Sequence, residues 1–273
     1  VKNFNIFALF LIVLSPLPSS WSAEKPAALD GVGVTEHLGA RLSVEKLRFS
    51  DEQGKTVSLQ EFFKKGHPVV LNLVYYECPQ LCNFILNGLV TTLKNLDWVP
   101  GTQFEMVAVS INPKETPALA EKKKEAYLKV YGKPETRPGW HFLTGEESQI
   151  RELADQVGFG YRYDPVDKQY LHAAVTFVIT PEGKISRYLY GINFPKKDLR
   201  FALLEASHGK IGNVVDQVLL FCFHYDPNRG GYSPYGFRFM QIACCFLATL
   251  LFSLLFYLWR LEKSVRRESE NNR

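Results

Sequence analysis

Val69-Val70-Leu71-Asn72-Leu73-Val74, with Cys78-Pro79-Gln80-Leu81-Cys82 close behind it, is the stretch that decides how this chain is read. A six-residue run with a single polar member is the mark of a strand covered on both faces, the central kind in a largely parallel sheet. The cysteines follow where such a strand hands over to a helix. On a helix, positions i and i+4 lie on one face, one turn apart. The spacing therefore predicts two sulfurs that either bind one soft metal ion or close on each other as a disulfide. The positive end of the helix dipole favours thiolate over thiol and helps both reactions. Pro79 suits a first helical turn, where a missing N–H costs nothing.

Outward from this stretch the pattern alternates. Leu47–Ser50 and Lys55–Leu59 read as a hairpin around the turn Asp51-Glu52-Gln53-Gly54. Leu81, Ile85, Leu89 and Leu93 have helical spacing. Phe104–Ile111 is a second buried strand, followed by a loop from Asn112 to Pro117 and a charged helix from about Ala118 to Tyr131. Trp140–Leu143 reads as a short strand and Glu146–Val157 as an amphipathic helix. Ala174–Ile179 and Lys184–Tyr190 form an antiparallel pair around Pro181-Glu182-Gly183, and a helix from about Lys196 to Ser207 closes the domain. This order predicts an α/β sandwich with a mixed central sheet. A cysteine pair at the end of the first central strand makes it thioredoxin-like.

Composition bounds the remainder. The 273 residues are 46% hydrophobic and 22% charged, an ordinary folded chain, and the net charge of +4 is small and partly confined to the C-terminal tail. No basic stripe marks a nucleic-acid face. Phe4–Leu17 behind Lys2, then Pro16, Pro18 and small residues, has the layout of a secretory signal over residues 1–23, with an uncleaved anchor as the alternative. Residues 24–41, rich in Ala, Gly and Pro, read as a linker to a domain over 42–208. After a juxtamembrane segment, 209–236, residues 237–260 are apolar enough for a transmembrane helix of the usual ~20 residues. Tyr257 and Trp259 fall at its interface, and the basic tail 261–273 follows on the cytoplasmic side, as the positive-inside rule expects. The main domain is then expected in the periplasm of a bacterial inner membrane. Cys244 and Cys245 lie within the span, which leaves Cys78, Cys82 and Cys222 outside the cytoplasm, where disulfides persist.

From about Leu42 to Ser207 the chain resembles the SCO/SenC proteins, copper-delivery factors for cytochrome c oxidase with a thioredoxin-like fold. The residues that carry the resemblance are Phe49, Gly54-Lys55 and Leu59, the Cys78/Cys82 pair, and Ser110-Ile111-Asn112-Pro113 with Thr116-Pro117. Phe142-Leu143-Thr144-Gly145, His172 and Phe177-Val178-Ile179-Thr180-Pro181-Glu182-Gly183-Lys184 complete it. Two departures stand out: Asn83 occupies a position that is usually proline, and Asn112 one that is usually acidic. The resemblance implies a copper ion bound by Cys78, Cys82 and His172. It also implies a copper-bearing oxidase subunit as partner and a membrane-anchored metallochaperone rather than an enzyme with turnover. Thiolates suit cuprous copper, and imidazole also tolerates the cupric ion. Metal loading and disulfide formation exclude one another, so a thiol reductant is expected as a further partner.

The competing reading is a periplasmic thiol–disulfide oxidoreductase in which Cys78 attacks and Cys82 resolves. A peroxidase using Cys78 is a third. His172 separates the first two, because a dithiol enzyme does not need it. Cys222 and His224 would share one strand face and form either a second metal or docking site or a packed aromatic lead-in to the anchor. His37, His67, His141 and His208 read as surface or turn residues.

Overall fold

The computed structural model describes residues 31–63, 65–78, 81–208, 223–226, 231–234 and 244–260; for residues 81–82, 223–226 and 231–234 the description is of the backbone. In chain order the elements are β1 (Gly33–Val34), β2 (Arg48–Ser50), β3 (Thr56–Ser58), β4 (Val69–Val74), α1 (Leu81–Lys94), β5 (Glu105–Ser110) and α2 (Pro117–Tyr131). They continue with β6 (Trp140–Leu143), α3 (Glu147–Gln156), β7 (Phe159–Asp164), β8 (Gln169–His172), β9 (Val175–Ile179), β10 (Ile185–Tyr190) and α4 (Lys196–Ala206). Two short strands follow, β11 (Phe223–Asp226) and β12 (Gly231–Pro234).

The central sheet has the order β10-β9-β4-β5-β6. β4, β5 and β6 run parallel, and β9 and β10 join antiparallel on the other side of β4. This is the mixed sheet expected from the sequence. Every residue of β4, β5 and β9 is buried, so both faces of the sheet centre are covered. The one polar residue of β4, Asn72, accepts a hydrogen bond from Thr176 Oγ1 of β9 at 2.6 Å, which removes the penalty of burying it.

Local chemistry sets the helix and turn boundaries. Thr116 caps α2 by accepting the Leu119 N–H, Pro117 takes the first position, and Gly132 ends the helix in the left-handed region at φ 80°. The Asp51 carboxylate accepts the N–H groups of Gln53 and Lys55 and so builds the β2–β3 turn. At Gly88 of α1 an added Cβ would lie 1.8 Å from the Ile192 carbonyl oxygen. Thr92 Oγ1 donates to the Phe194 carbonyl at 2.5 Å one turn on, so α1 is seated directly against the segment between β10 and α4.

Two readings change, and a third falls partly outside the described residues. Part of the predicted linker belongs to the fold: Gly33 and Val34 pair with Gly160 and Phe159 of β7, and Ile185 N–H donates to the Ala40 carbonyl. The hairpin β7–β8, unassigned in the sequence, forms a three-stranded sheet with β1. The C-terminal helix is described over residues 244–260, and among the described residues no helix is long and apolar enough to cross a membrane. The predicted span begins at 237, and residues 235–243 lie outside the described residues, as do the expected signal at 1–23 and Cys222. His224 falls on β11, in register with Ser233.

Candidate metal centre

The ends of one antiparallel strand pair bring the site together. β4 and β9 run with Val69 opposite Ile179 and Leu71 opposite Phe177. The C-terminal end of β4 therefore adjoins the N-terminal end of β9. Cys78 follows the first, and His172, last residue of β8, precedes the second. The register places both at this end of the sheet although neither lies on the pair itself.

Cys78 is buried and stands ahead of α1, which begins at Leu81. Its N–H donates to the Tyr75 carbonyl, closing a turn. The expectation that both cysteines share a helix face is corrected: Cys82 lies in the first turn of α1, and Cys78 belongs to the loop before it. The pair joins a loop to a helix start. Pro79 and the Cys82 side chain lie outside the described residues.

The loop carrying Cys78 is tied down on several sides. The Glu115 carboxylate accepts the backbone N–H groups of Tyr76 and Glu77, each at 2.8 Å, and the Ser110 hydroxyl at 2.6 Å. Burial pushes the Glu115 carboxyl above its usual range, and these donors oppose that rise. The Tyr76 hydroxyl reaches across the sheet end to the carbonyls of Ala108 and Leu143. Burial raises its pKa well above the ordinary phenol value, with Glu115 and Glu52 adding to the rise, so it remains a donor. Behind the loop, Asn83 Nδ2 donates to the Cys78 carbonyl at 2.7 Å.

His172 is 7% exposed and packs among aromatic rings, with Tyr75 edge-on at 6.3 Å between centroids and Phe159 at 5.8 Å. Its Nδ1 lies 2.9 Å from the Ala173 carbonyl oxygen. A carbonyl only accepts, so Nδ1 carries the hydrogen and Nε2 the lone pair. That is the tautomer a metal-binding imidazole needs, with its second nitrogen fixed by the backbone. Burial lowers the His172 pKa, and the Ala173 bond and the charge of the Cys78 sulfur oppose the fall. Cys78 and His172 are therefore within electrostatic reach of one another.

Among the described residues no three histidine, cysteine or acidic side chains gather as a ligand set. The donors that lie within electrostatic reach of each other are a sulfur and a neutral imidazole, while the Glu115 carboxylate is already occupied. Soft and borderline ions suit such donors, and copper fits them; hard cations do not. Two open clefts flank the loop. One, about 430 Å3, lies between Tyr75, Glu77, Asn112 and the tip of the β7–β8 hairpin. The other, about 710 Å3, has Cys78 on its wall and Leu119, Lys122, Lys123 and Ala126 of α2 opposite.

The sequence pointed to Cys78 and His172 and missed their supports, Tyr75, Tyr76, Glu115 and Lys123. It also misjudged His141, which lies on β6, and did not foresee the partner of His67. Both bond to Glu105, a fully buried carboxylate at the start of β5, with His141 Nε2 at 2.9 Å, His67 Nδ1 at 3.4 Å and Lys65 Nζ at 3.0 Å. They form a polar cluster at the opposite end of the parallel strands from Cys78.

No curated protein matches the chain. Among solved structures, a candidate electron transfer protein from Aquifex aeolicus VF5 is 24% identical, covers 63% of this chain and 96% of its own, and superposes with a TM-score of 0.54. BsSco, a member of the Sco family of cytochrome c oxidase assembly proteins studied for a disulfide switch, is 23% identical over 64% of this chain and 99% of its own, with a TM-score of 0.51. ScoI from Arabidopsis thaliana, solved with copper bound, is 22% identical over 59% of this chain and 96% of its own, with a TM-score of 0.46. The first two establish a shared fold. The SCO1/SenC family model matches residues 36–200, more than half of the chain. The chain is thus a member of the SCO1/SenC family.

Proposed function

We propose that this protein is a membrane-anchored copper carrier in the assembly of a respiratory cytochrome c oxidase. It holds the ion on Cys78, Cys82 and His172. It either delivers the ion to the copper-bearing subunit or keeps that subunit's cysteines reduced. The observation that carries the reading is the state of His172: buried among aromatic rings, its Nδ1–H fixed on the Ala173 carbonyl, and within electrostatic reach of Cys78. A strand-edge histidine with a solvent partner would have none of these properties.

Two sulfurs and one nitrogen suit both copper oxidation states and leave the site open for release. Closing the sulfurs into a disulfide removes two donors, so loading requires a thiol reductant outside the cytoplasm. The helix over residues 244–260 supports an anchor, because Phe246, Leu251, Phe252 and Leu255 expose half or more of their surface and call for an apolar medium. With the basic tail in the cytoplasm, the main domain faces the periplasm.

The test is copper titration of the full chain in detergent, reduced and then oxidised. Sulfur-to-copper charge-transfer bands are expected only with free thiols. His172→Ala is expected to weaken cuprous binding by about a hundredfold or more and to leave disulfide exchange intact. Unchanged affinity in that variant would favour the thiol–disulfide oxidoreductase, which uses the same sulfurs and no imidazole.

A further inference from the structure

Asn83 occupies the turn of α1 next to Cys82, and its side chain points back to the loop of the first cysteine. Its Nδ2 donates to the Cys78 carbonyl oxygen at 2.7 Å. Its Oδ1 accepts from Lys123 Nζ at 2.8 Å and lies 3.5 Å from the Tyr127 hydroxyl. The amide has only one orientation compatible with these neighbours. An ammonium can only donate and a carbonyl can only accept, so oxygen must face Lys123 and nitrogen must face Cys78. The three groups form a directed chain from a lysine on α2, through the amide, to the residue that bears the sulfur.

We propose that Asn83 is a positioning residue for the Cys78/Cys82 centre, with Lys123 of α2 holding it in place. The inference rests on the reading of that pair as the working centre and adds to it what fixes Cys78 relative to the helix start. Three observations support the assignment. The Asn83 side chain bonds directly to the Cys78 backbone carbonyl, and the N–H of the same residue donates to the Tyr75 carbonyl. Leu119, Lys122, Lys123 and Ala126 form the face of α2 that looks across the cleft at the Cys78 loop, so α2 is the element against which the loop can be referenced. Among the described residues Lys122 and Lys123 on that face have no acid partner, whereas their neighbour Lys124 is paired with Glu52.

Hydrogen bonds in series strengthen one another in a low-dielectric site. A cation at one end draws electron density along the amide and makes Nδ2 a better donor to the Cys78 carbonyl. The negative end of the Cys78 carbonyl is thereby partly neutralised on the residue that bears the first sulfur, which favours the reduced, metal-ready pair over the disulfide. Loss of the chain loosens the Cys78 loop and exposes the sulfurs to an uncompensated carbonyl.

The experiment compares wild type, Asn83→Leu, Lys123→Met and Lys123→Arg as full chains in detergent. Two quantities are read. One is cuprous affinity in competition with a chromophoric chelator. The other, on copper-free protein, is the equilibrium in which the Cys78–Cys82 disulfide and two glutathione thiols exchange to two cysteine thiols and one glutathione disulfide. Asn83→Leu is expected to weaken copper binding about tenfold and to shift the exchange about tenfold toward the protein disulfide, which is about 30 mV for a two-electron couple. Lys123→Met is expected to shift both about threefold in the same directions, and Lys123→Arg to restore them. A lowered Tm in Asn83→Leu with both quantities unchanged makes Asn83 a structural link only and overturns the inference. Should Asn83→Leu fail to fold, Lys123→Met decides, and wild-type values there overturn it equally. A wild-type chain that binds no copper and forms no reducible pair refutes the function proposed above, and this inference with it.

Discussion

The Glu115 carboxylate accepts the Tyr76 backbone N–H at 2.8 Å. A side chain from the loop between β5 and α2 thus fixes the main chain two residues before Cys78, and it does the same for Glu77. Glu115→Ala leaves two N–H groups and the Ser110 hydroxyl without their acceptor. The expected loss is about 2–4 kcal/mol of unfolding free energy, read from urea melts. Copper affinity should fall with it, since the loop carrying Cys78 is released. A variant as stable as wild type would show that water replaces the carboxylate at no cost.

Lys124 and Glu52 form a buried ion pair at 2.9 Å, both side chains under a tenth exposed. Glu52 also accepts the Phe142 N–H, so the pair links the β2–β3 turn, α2 and β6. Lys124→Met strands a carboxylate in the interior and is expected to cost about 3–5 kcal/mol. Adding Glu52→Gln should recover a large part of it, because the amide retains the bond from Phe142 without the charge. A double-mutant cycle measures the coupling, and independent losses would show that the pair is not coupled.

Acid sensitivity should concentrate at Glu105. Burial works to raise its pKa, and the bonds from His141 and Lys65 outweigh it, so the folded value lies below the usual 4.5. The unfolded state then binds the proton more readily than the folded state. The stabilisation is fully present above about pH 4.5 and disappears as pH falls through the folded value. Glu105→Gln should be less stable at neutral pH and should flatten the acid limb of the stability curve. An acid limb as steep as wild type would assign the acid response to other carboxylates.

Gly88→Ala tests the seating of α1. The new methyl carbon would meet the Ile192 carbonyl oxygen at 1.8 Å, a backbone atom that cannot swing aside. A loss of about 1–3 kcal/mol is expected despite the better helix propensity of alanine. Stabilisation would mean that the segment before α4 yields easily.

Most of the central sheet was legible in the sequence because its strands are apolar on both faces and its turns carry Gly and Pro. The β7–β8 hairpin was not assigned, although Phe159, Tyr161 and Tyr163 alternate over a strand-length stretch that ends in Asp164-Pro165. Two glycines at its start, Gly158 and Gly160, masked the alternation. Gly158 is in the left-handed region at φ 65°, and its carbonyl accepts the Thr35 N–H. Cys78 and His172 came from spacing and resemblance. Glu115 carries no such signal, since its partners are backbone N–H groups, which every sequence has. Glu105 illustrates the same limit, because a carboxylate in a buried strand announces itself only when the histidines and lysine that bond to it are seen beside it. Asn83 was visible as a departure from proline, and only the position of Lys123 on α2 gives that departure a role.

The antiparallel contact of β4 with β9 has a consequence for timing. The imidazole and the first sulfur are 94 positions apart along the chain, residue 172 against residue 78. Joining them waits on a long-range closure, the slow kind of event in folding. If these are the ligands, as proposed above, a half-made polypeptide has its sulfurs but no held nitrogen, so it would capture an ion weakly and oxidise readily. On the function proposed above, the place for an ion would exist only after the late strand has zipped in beside β4, so possession of the ion would certify a finished molecule.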